Sequence, residues 1–330
     1  MLRTEIAEIM QNTSAMFDIA EKVEYKRNLT SEEKEIYEIS DAWCKEIANR
    51  GFDRDREIAQ FIQKTINEEL YNAPDELLDM LFERGSIGEF DDAEYFKNPK
   101  NTLAAHEAAK GGTVDRSFID IPFVKPIVKN RQVETDLSYV DMRKNGFKSV
   151  ATLTTMAKEA LQNALFYDVF AQIDAALVSG EQVIAVTGAK PTQDAVDQFN
   201  LYLLDRNTNP TAVCLTKYAQ ALGRMDGRAQ YLSPNMKDDF NRYGLVNFID
   251  GVKIASLSSA HKTGLGQLPV PDKRIFGCAG VIGAIDMKGE VHVYEDEDNS
   301  NDKMIIRVKD FTYNVALTNL ENIAKMTFSA

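Results

Sequence analysis

An α+β architecture follows from three observations on this chain of 330 residues. Helical periodicity fills most of the first hundred residues, one amphipathic helix of unusual length occupies residues 152–180, and strand patterns dominate from residue 275 onward. In the long segment Leu153, Met156, Ala157, Ala160, Leu161, Ala164, Leu165, Val169, Ile173, Ala176 and Leu177 recur at three- and four-residue spacing, which puts them on one face. Thr154 or Thr155 is the expected N-cap, and Gly180 is expected to close the C-terminus in a left-handed conformation. About 25 residues at 1.5 Å rise make a rod of roughly 37 Å. A rod of that length predicts an elongated subunit; the competing reading is a buried helix of a generic enzyme.

Taken in order, residues 2–24 and 31–50 are helical, with Ile6, Ile9, Met10, Met16, Phe17 and Ile19 in the first and Ile36, Ile39, Trp43 and Ile47 in the second. Thr30 caps the second, with Glu33 at the capping-box position. Residues 54–70 and 74–83 are further helices, the latter opened by Pro74. Such acidic, apolar-poor helices are expected to lie as an arm on something else. Residues 85–101 read as loop, 103–110 as a short Ala-rich helix, and Gly111-Gly112 as a break. Two β runs follow, 118–128 and 133–140, separated by a turn at Lys129-Asn130-Arg131. Pro122 and Pro126 cannot donate ladder hydrogen bonds, so this is expected to be an edge or protruding hairpin.

Beyond Gly180 the pattern gives a strand at VIAVTG, a helix at 194–204, a buried strand at 212–215 and a short helix at 217–225 ended by Asp226-Gly227. Residues 244–248 and 252–255 are strands around an Asp250-Gly251 turn. Residues 261–271 form a Gly/Pro-rich loop. Residues 275–287 and 290–294 are strands about Lys288-Gly289, followed by 303–309 and 324–328, a meander.

The net charge of −13 is uneven: residues 1–100 hold 13 basic against 24 acidic side chains, a net −11, and the remainder is nearly balanced at 25 against 27. An acidic first segment does not provide the clustered Lys and Arg that phosphate contacts need. No apolar run approaches the ~20 residues that cross a bilayer, and MLRTEIAEIM lacks a signal-peptide core, so neither membrane insertion nor export is expected. Cys44, Cys214 and Cys278 lack CxxC spacing and are expected to be reduced thiols of a cytosolic product.

Catalytic motifs are absent from the sequence. Gly264-Leu265-Gly266 starts like a dinucleotide fingerprint but has Pro269 at the third Gly position and no strand leading into a helix. There is no GxxxxGK[ST], GxSxG or HExxH, and His106, His261 and His292 are scattered. Asp296, Asp298, Ser300 and Asp302 alternate like a calcium loop, yet Asn301 stands where the sixth-position Gly is needed and Arg307 where the bidentate Glu is needed. A solvated hairpin tip is the expectation. The pairs Glu32-Glu33 and Glu68-Glu69 are consecutive, so their carboxylates do not face one another.

The order of elements, with several stretches of wording, resembles the major capsid proteins of tailed phages, the Hong Kong 97-like fold. FKSVATLTTMAKEALQNALFYDVFAQIDAALVSGE is similar to that family's strand into spine helix. NPTAVCLTKYAQALGRMDGRAQYL resembles its segment in which a strand is followed by a short helix and a D-G-R turn, GLVNFIDGVKIASLSS the stretch where a strand leads to the later strands of the axial domain, and VIGAIDMKGEVHVYEDEDNSNDKMIIRVKDFTYNVALTNLENIAKMTF its closing strands. The resemblance covers about residues 103–330. It implies an acidic N-terminal arm (1–102), an extended β-hairpin loop (103–150), a peripheral domain with the spine helix (151–190), an axial domain (191–285) and return strands of the peripheral domain (286–330). It also implies a non-enzymatic subunit without cofactor or metal, assembling in the host cytoplasm into hexamers and pentamers of an icosahedral shell. That shell encloses DNA without sequence-specific binding or a membrane, with scaffolding, portal or decoration proteins as possible partners. Phe118, Ile121, Phe123 and Lys125 are the expected assembly contacts, because an exposed apolar run needs a partner surface. An encapsulin-type compartment and an unrecognised α/β enzyme using the 261–271 loop are the alternatives.

Overall fold

The computed structural model describes residues 19, 22–23, 28–50, 55–68, 70, 75–97, 121–207, 209–225, 245, 247–260, 262–263, 265–298 and 301–329. The expected helix at 103–110, Phe118, most of the helix at 2–24 and the turn at Asp226-Gly227 lie outside the described residues.

Helix α1 (Ser31–Arg50) begins as its sequence requires: the Thr30 N–H donates to Glu33 Oε2 at 2.7 Å while the Glu33 N–H donates to Thr30 Oγ1 at 3.3 Å. Its inner face is Trp43, Cys44, Ile47 and Ala48. Helix α2 (Asp55–Asn67) buries Ile58, Phe61, Ile62 and Ile66. In α3 (Glu76–Leu81) the cap is Asp75, accepting from the N–H groups of Leu77 and Leu78, so the helix opens two residues later than Pro74 implied. The next segment, expected as loop, is strand β1 (Phe82–Ile87) and then β2 (Tyr95–Phe96).

β3 (Phe123–Val124) pairs with β2, and β4 (Ile127–Ser138) runs unbroken through the positions expected to turn at Lys129-Asn130-Arg131. The β4 backbone is held there by β12 (Lys303–Leu317), whose Tyr313, Thr312 and Phe311 stand opposite Lys129, Asn130 and Arg131. The break between β3 and β4 falls instead at Lys125-Pro126.

β12 organises a five-stranded sheet. β4 lies along one edge. Along the other run β11 (His292–Asp298) and then β10 (Gly283–Lys288), end to end, with β1 parallel to β10 outside. The Lys288-Gly289 hairpin expected from sequence is therefore absent: Gly289 (φ 73°) only interrupts two segments that share the same partner. At the interruption Asn67 of α2 acts as a substitute strand, its amide donating to the Val291 carbonyl (3.0 Å) and accepting from the Val291 N–H (2.9 Å). Burial along β12 explains its length. Met304, Ile306 and Val308 are buried, then Phe311, Tyr313 and Val315, with the phase shifted by one at Asp310 (φ 65°), where two residues oppose the single Gln132 of β4.

The second sheet has the order β5-β13-β9-β6-β8-β7. Its strands are β5 (Val183–Thr187), β6 (Thr211–Leu215), β7 (Phe248–Ile249), β8 (Val252–Leu257), β9 (Arg274–Cys278) and β13 (Ile323–Ser329). β6 is buried at every position, as its unbroken apolar run requires. β7 and β8 turn through Asp250 (φ 49°) and Gly251 (φ 85°). The expected single strand 275–287 is split at Gly280 (φ 82°), where the chain leaves this sheet at β9 for the first sheet at β10. β5 and β13, grouped by sequence with the spine helix and the return strands, pair with one another here, in parallel. Helices α6 (Gln193–Leu204) and α7 (Thr216–Gly223) cover one face: Tyr218 stacks on Phe328, and Phe199 and Leu203 press on Gly277.

The long helix, α5 (Phe147–Ala176), packs against both sheets through one continuous apolar core. Thirty residues span about 45 Å. Asp168 fastens it to the first sheet, accepting from Arg131 Nε (2.8 Å) and Nη2 (2.5 Å) on β4 and from the Tyr313 hydroxyl (2.6 Å) on β12. Asp174 fastens it to the second, accepting from Lys325 Nζ (2.9 Å) on β13 and Arg274 Nε (3.1 Å) on β9, with Phe170 stacked on Phe276 beside them. Its ends differ from expectation. Thr154 is buried inside the helix, donating to the Val150 carbonyl, and the cap residue is Gly146, which also ends the preceding short helix α4 (Tyr139–Asn145). Met156, expected on the apolar face, is exposed. Gly180 has positive φ but lies beyond the last helical turn.

Candidate assembly surface

The segment leading into β4 presents apolar side chains to solvent. Ile121, Phe123, Ile127 and Val128 are each about half exposed, and Phe96 of β2 joins them through an edge-on contact with Phe123 at 6.1 Å between ring centres. Lys125 stands exposed among them. The structure thus brings Ile121, Phe123 and Lys125 onto one surface, while Phe118 lies outside the described residues. Phe96 is the member that sequence reading missed. It sits in a short acidic stretch without alternation, and only its pairing opposite Phe123 reveals it.

The surface is held from behind. Tyr95, next to Phe96, is buried and its hydroxyl donates to Asp286 on β10. Burial, with that hydrogen bond second, pushes the Tyr95 phenol above its ordinary range, so it stays a donor at any physiological pH. The Lys97 N–H donates to the Pro122 carbonyl at 3.0 Å, which ties the two arms of the segment. Pro122 and Pro126 flank Phe123 and Val124, and so limit this ladder to two residues.

Behind β4 a cleft of about 630 Å³ opens between that strand and the first half of α5. Val133, Leu137, Leu153 and Met156 give it apolar walls, and Glu134 and Asp136 an acidic rim. Glu134 pairs with Arg307 directly opposite it (3.0 Å) and Asp136 with Lys303 on the diagonal (3.3 Å), which fixes β4 against β12. Among the described residues no three His, Cys, Asp or Glu side chains come together as a metal-binding group. No helix of the described residues is long and apolar enough to cross a membrane. Asp298 accepts from the Asn301 side chain at 2.6 Å in the β11–β12 turn, the hairpin tip expected there.

No protein-family model and no curated protein sequence matches the chain. Solved structures do. A Mycobacterium phage Ogopogo structure superposes with a TM-score of 0.53 at 12% identity, covering 77% of this chain and 92% of that one. The capsid of an empty GTA particle superposes with a TM-score of 0.53 at 12% identity over 77% and 89% of the two chains. The chain has the Hong Kong 97-like capsid fold. A Mycobacterium phage Bobi structure, with a TM-score of 0.50 and 11% identity, shares this capsid fold over 84% of this chain and 99% of its own. At identities this low the match shows the fold, and in this chain the Asp168 and Asp174 links hold the long helix to both sheets.

Proposed function

We propose that the chain is a major capsid protein, a structural subunit that self-assembles into the icosahedral head of a tailed double-stranded DNA phage and encloses its genome. The observation that carries this reading is the capsid fold, matched over nearly the whole length of the solved chains. On this reading the five-stranded sheet with α5 is the peripheral domain, the six-stranded sheet the axial domain, and residues 121–138 the described part of the extended loop. Ile121, Phe123 and Lys125, with Phe96 beside them, contact a neighbouring copy. Covering the half-exposed Ile121, Phe123 and Phe96 stabilises each contact by about 1 kcal/mol per side chain, and a shell repeats it around every ring. The subunit acts without catalysis or cofactor, in hexamers and pentamers, with its acidic arm kept from sticking to packaged DNA by charge. Portal, scaffolding and decoration proteins are its expected partners, and the virion its final location.

Sedimentation velocity on the purified full-length chain tests this. Particles of megadalton size are expected; a population of monomers and dimers at every concentration and salt contradicts it. An encapsulin-type compartment shares the fold, and neighbouring genes separate the two: portal, terminase and protease genes against a cargo enzyme.

A further inference from the structure

The start of the long helix is where local sequence and tertiary structure disagree. Local signals place it near Thr154 and Thr155, whose hydroxyls are good caps, and Val150, Thr152, Thr154 and Thr155 are β-branched residues of modest helix propensity. The structure starts it at Phe147, a full two turns earlier, with no side-chain cap of its own. What holds those turns is α1. The Phe147 N–H donates to Asp41 Oδ1 at 3.1 Å, and Asp41 fills the space at Gly146, where a Cβ would lie 1.7 Å from its oxygen. The Phe147 ring packs edge-on to Tyr37 (6.1 Å) and against Phe61 of α2 (6.0 Å). The adjoining α4 is gripped as well: the Tyr139 hydroxyl donates to buried Asp55, and Arg143 reaches the Ala48 carbonyl. The early start leaves a mark inside the helix: Thr155 Oγ1 is buried with no hydrogen-bond partner among the described residues, although a cap role would give it one.

We propose that residues 147–153 form a two-state segment whose helical state is imposed by the docked arm. With α1 and α2 in place the helix starts at Phe147; with the arm displaced it restarts at Thr154 or Thr155, and the joint between β4 and α5 is released. The arm is then a clasp on the spine. This concerns the single subunit and stands or falls independently of assembly.

Amide hydrogen exchange on the full-length, unassembled chain tests it, with Asp41→Ala removing the cap and Tyr37→Ala loosening the ring contact without stranding a charge. The expected result is exchange about tenfold faster at residues 147–153, unchanged protection at residues 157–173 and in β6, and recovery in Asp41→Asn, which keeps an acceptor. Unchanged exchange at 147–153 in both Ala variants overturns the proposal, as does an equal loss along the whole helix with β6 still protected. Should Asp41→Ala fail to fold, Tyr37→Ala alone decides between these outcomes.

Discussion

Asp168 shows how one side chain sets the geometry of this subunit. It is buried, and its two oxygens take three donors from two different strands, so the helix has one rotational setting against the first sheet. Removing it strands the Arg131 guanidinium and the Tyr313 hydroxyl. Asp168→Ala is expected to destabilise the subunit by about 3 kcal/mol, the low end for a broken buried pair because Arg131 keeps a third of its exposure. Urea unfolding followed by circular dichroism measures it. Gly277 is a second such position: a Cβ there would lie 2.4 Å from Leu203 and 2.5 Å from Phe199. Gly277→Ala is expected to cost roughly 1–3 kcal/mol by overpacking, read from the same unfolding curve. The thiols are the third case. Burial pushes Cys214 and Cys278 up to about 12 and Cys44 higher still, so below that range all three stay protonated and shielded. A thiol reagent at pH 8 should label none of them in the folded chain and all three in denaturant.

Elements were legible where a segment carries its own pattern, and hidden where a neighbour supplies it. The capping box at Thr30 and Glu33, the buried run of β6 and the Asp250-Gly251 turn all read correctly because the determining atoms lie within a few residues. β12 looked half its length, since the bulge at Asp310 shifts the alternation, and two short correct patterns look like one strand and a tail. The split of residues 275–287 between two sheets left no local trace beyond Gly280. Asn67 illustrates the same limit, because its partner Val291 is 224 residues away. Asn67→Ala should cost about 1–3 kcal/mol by orphaning the Val291 N–H and carbonyl, and should speed amide exchange at Val291 before Val293, whose N–H donates to Gln63 Oε1 at 3.1 Å, or any other position in β11.

At the scale of the whole molecule, order of elements carried more information than any motif. Acidic helices, a proline-flanked strand, a long helix and a closing set of strands were enough to indicate the architecture, while the partition between sheets required long-range pairing to be seen. The candidate surface was legible in its apolar run around Ile121 and Phe123, and not in Phe96, which is brought to it by β2–β3 pairing. On the proposed function, other copies cover this surface. Electron micrographs of the purified chain and of its Phe123→Asp variant test this. Closed shells of uniform diameter from the parent chain, and folded but unassembled subunits from the variant, are predicted; an absence of shells in the parent preparation, or shells formed equally well by both, would contradict it.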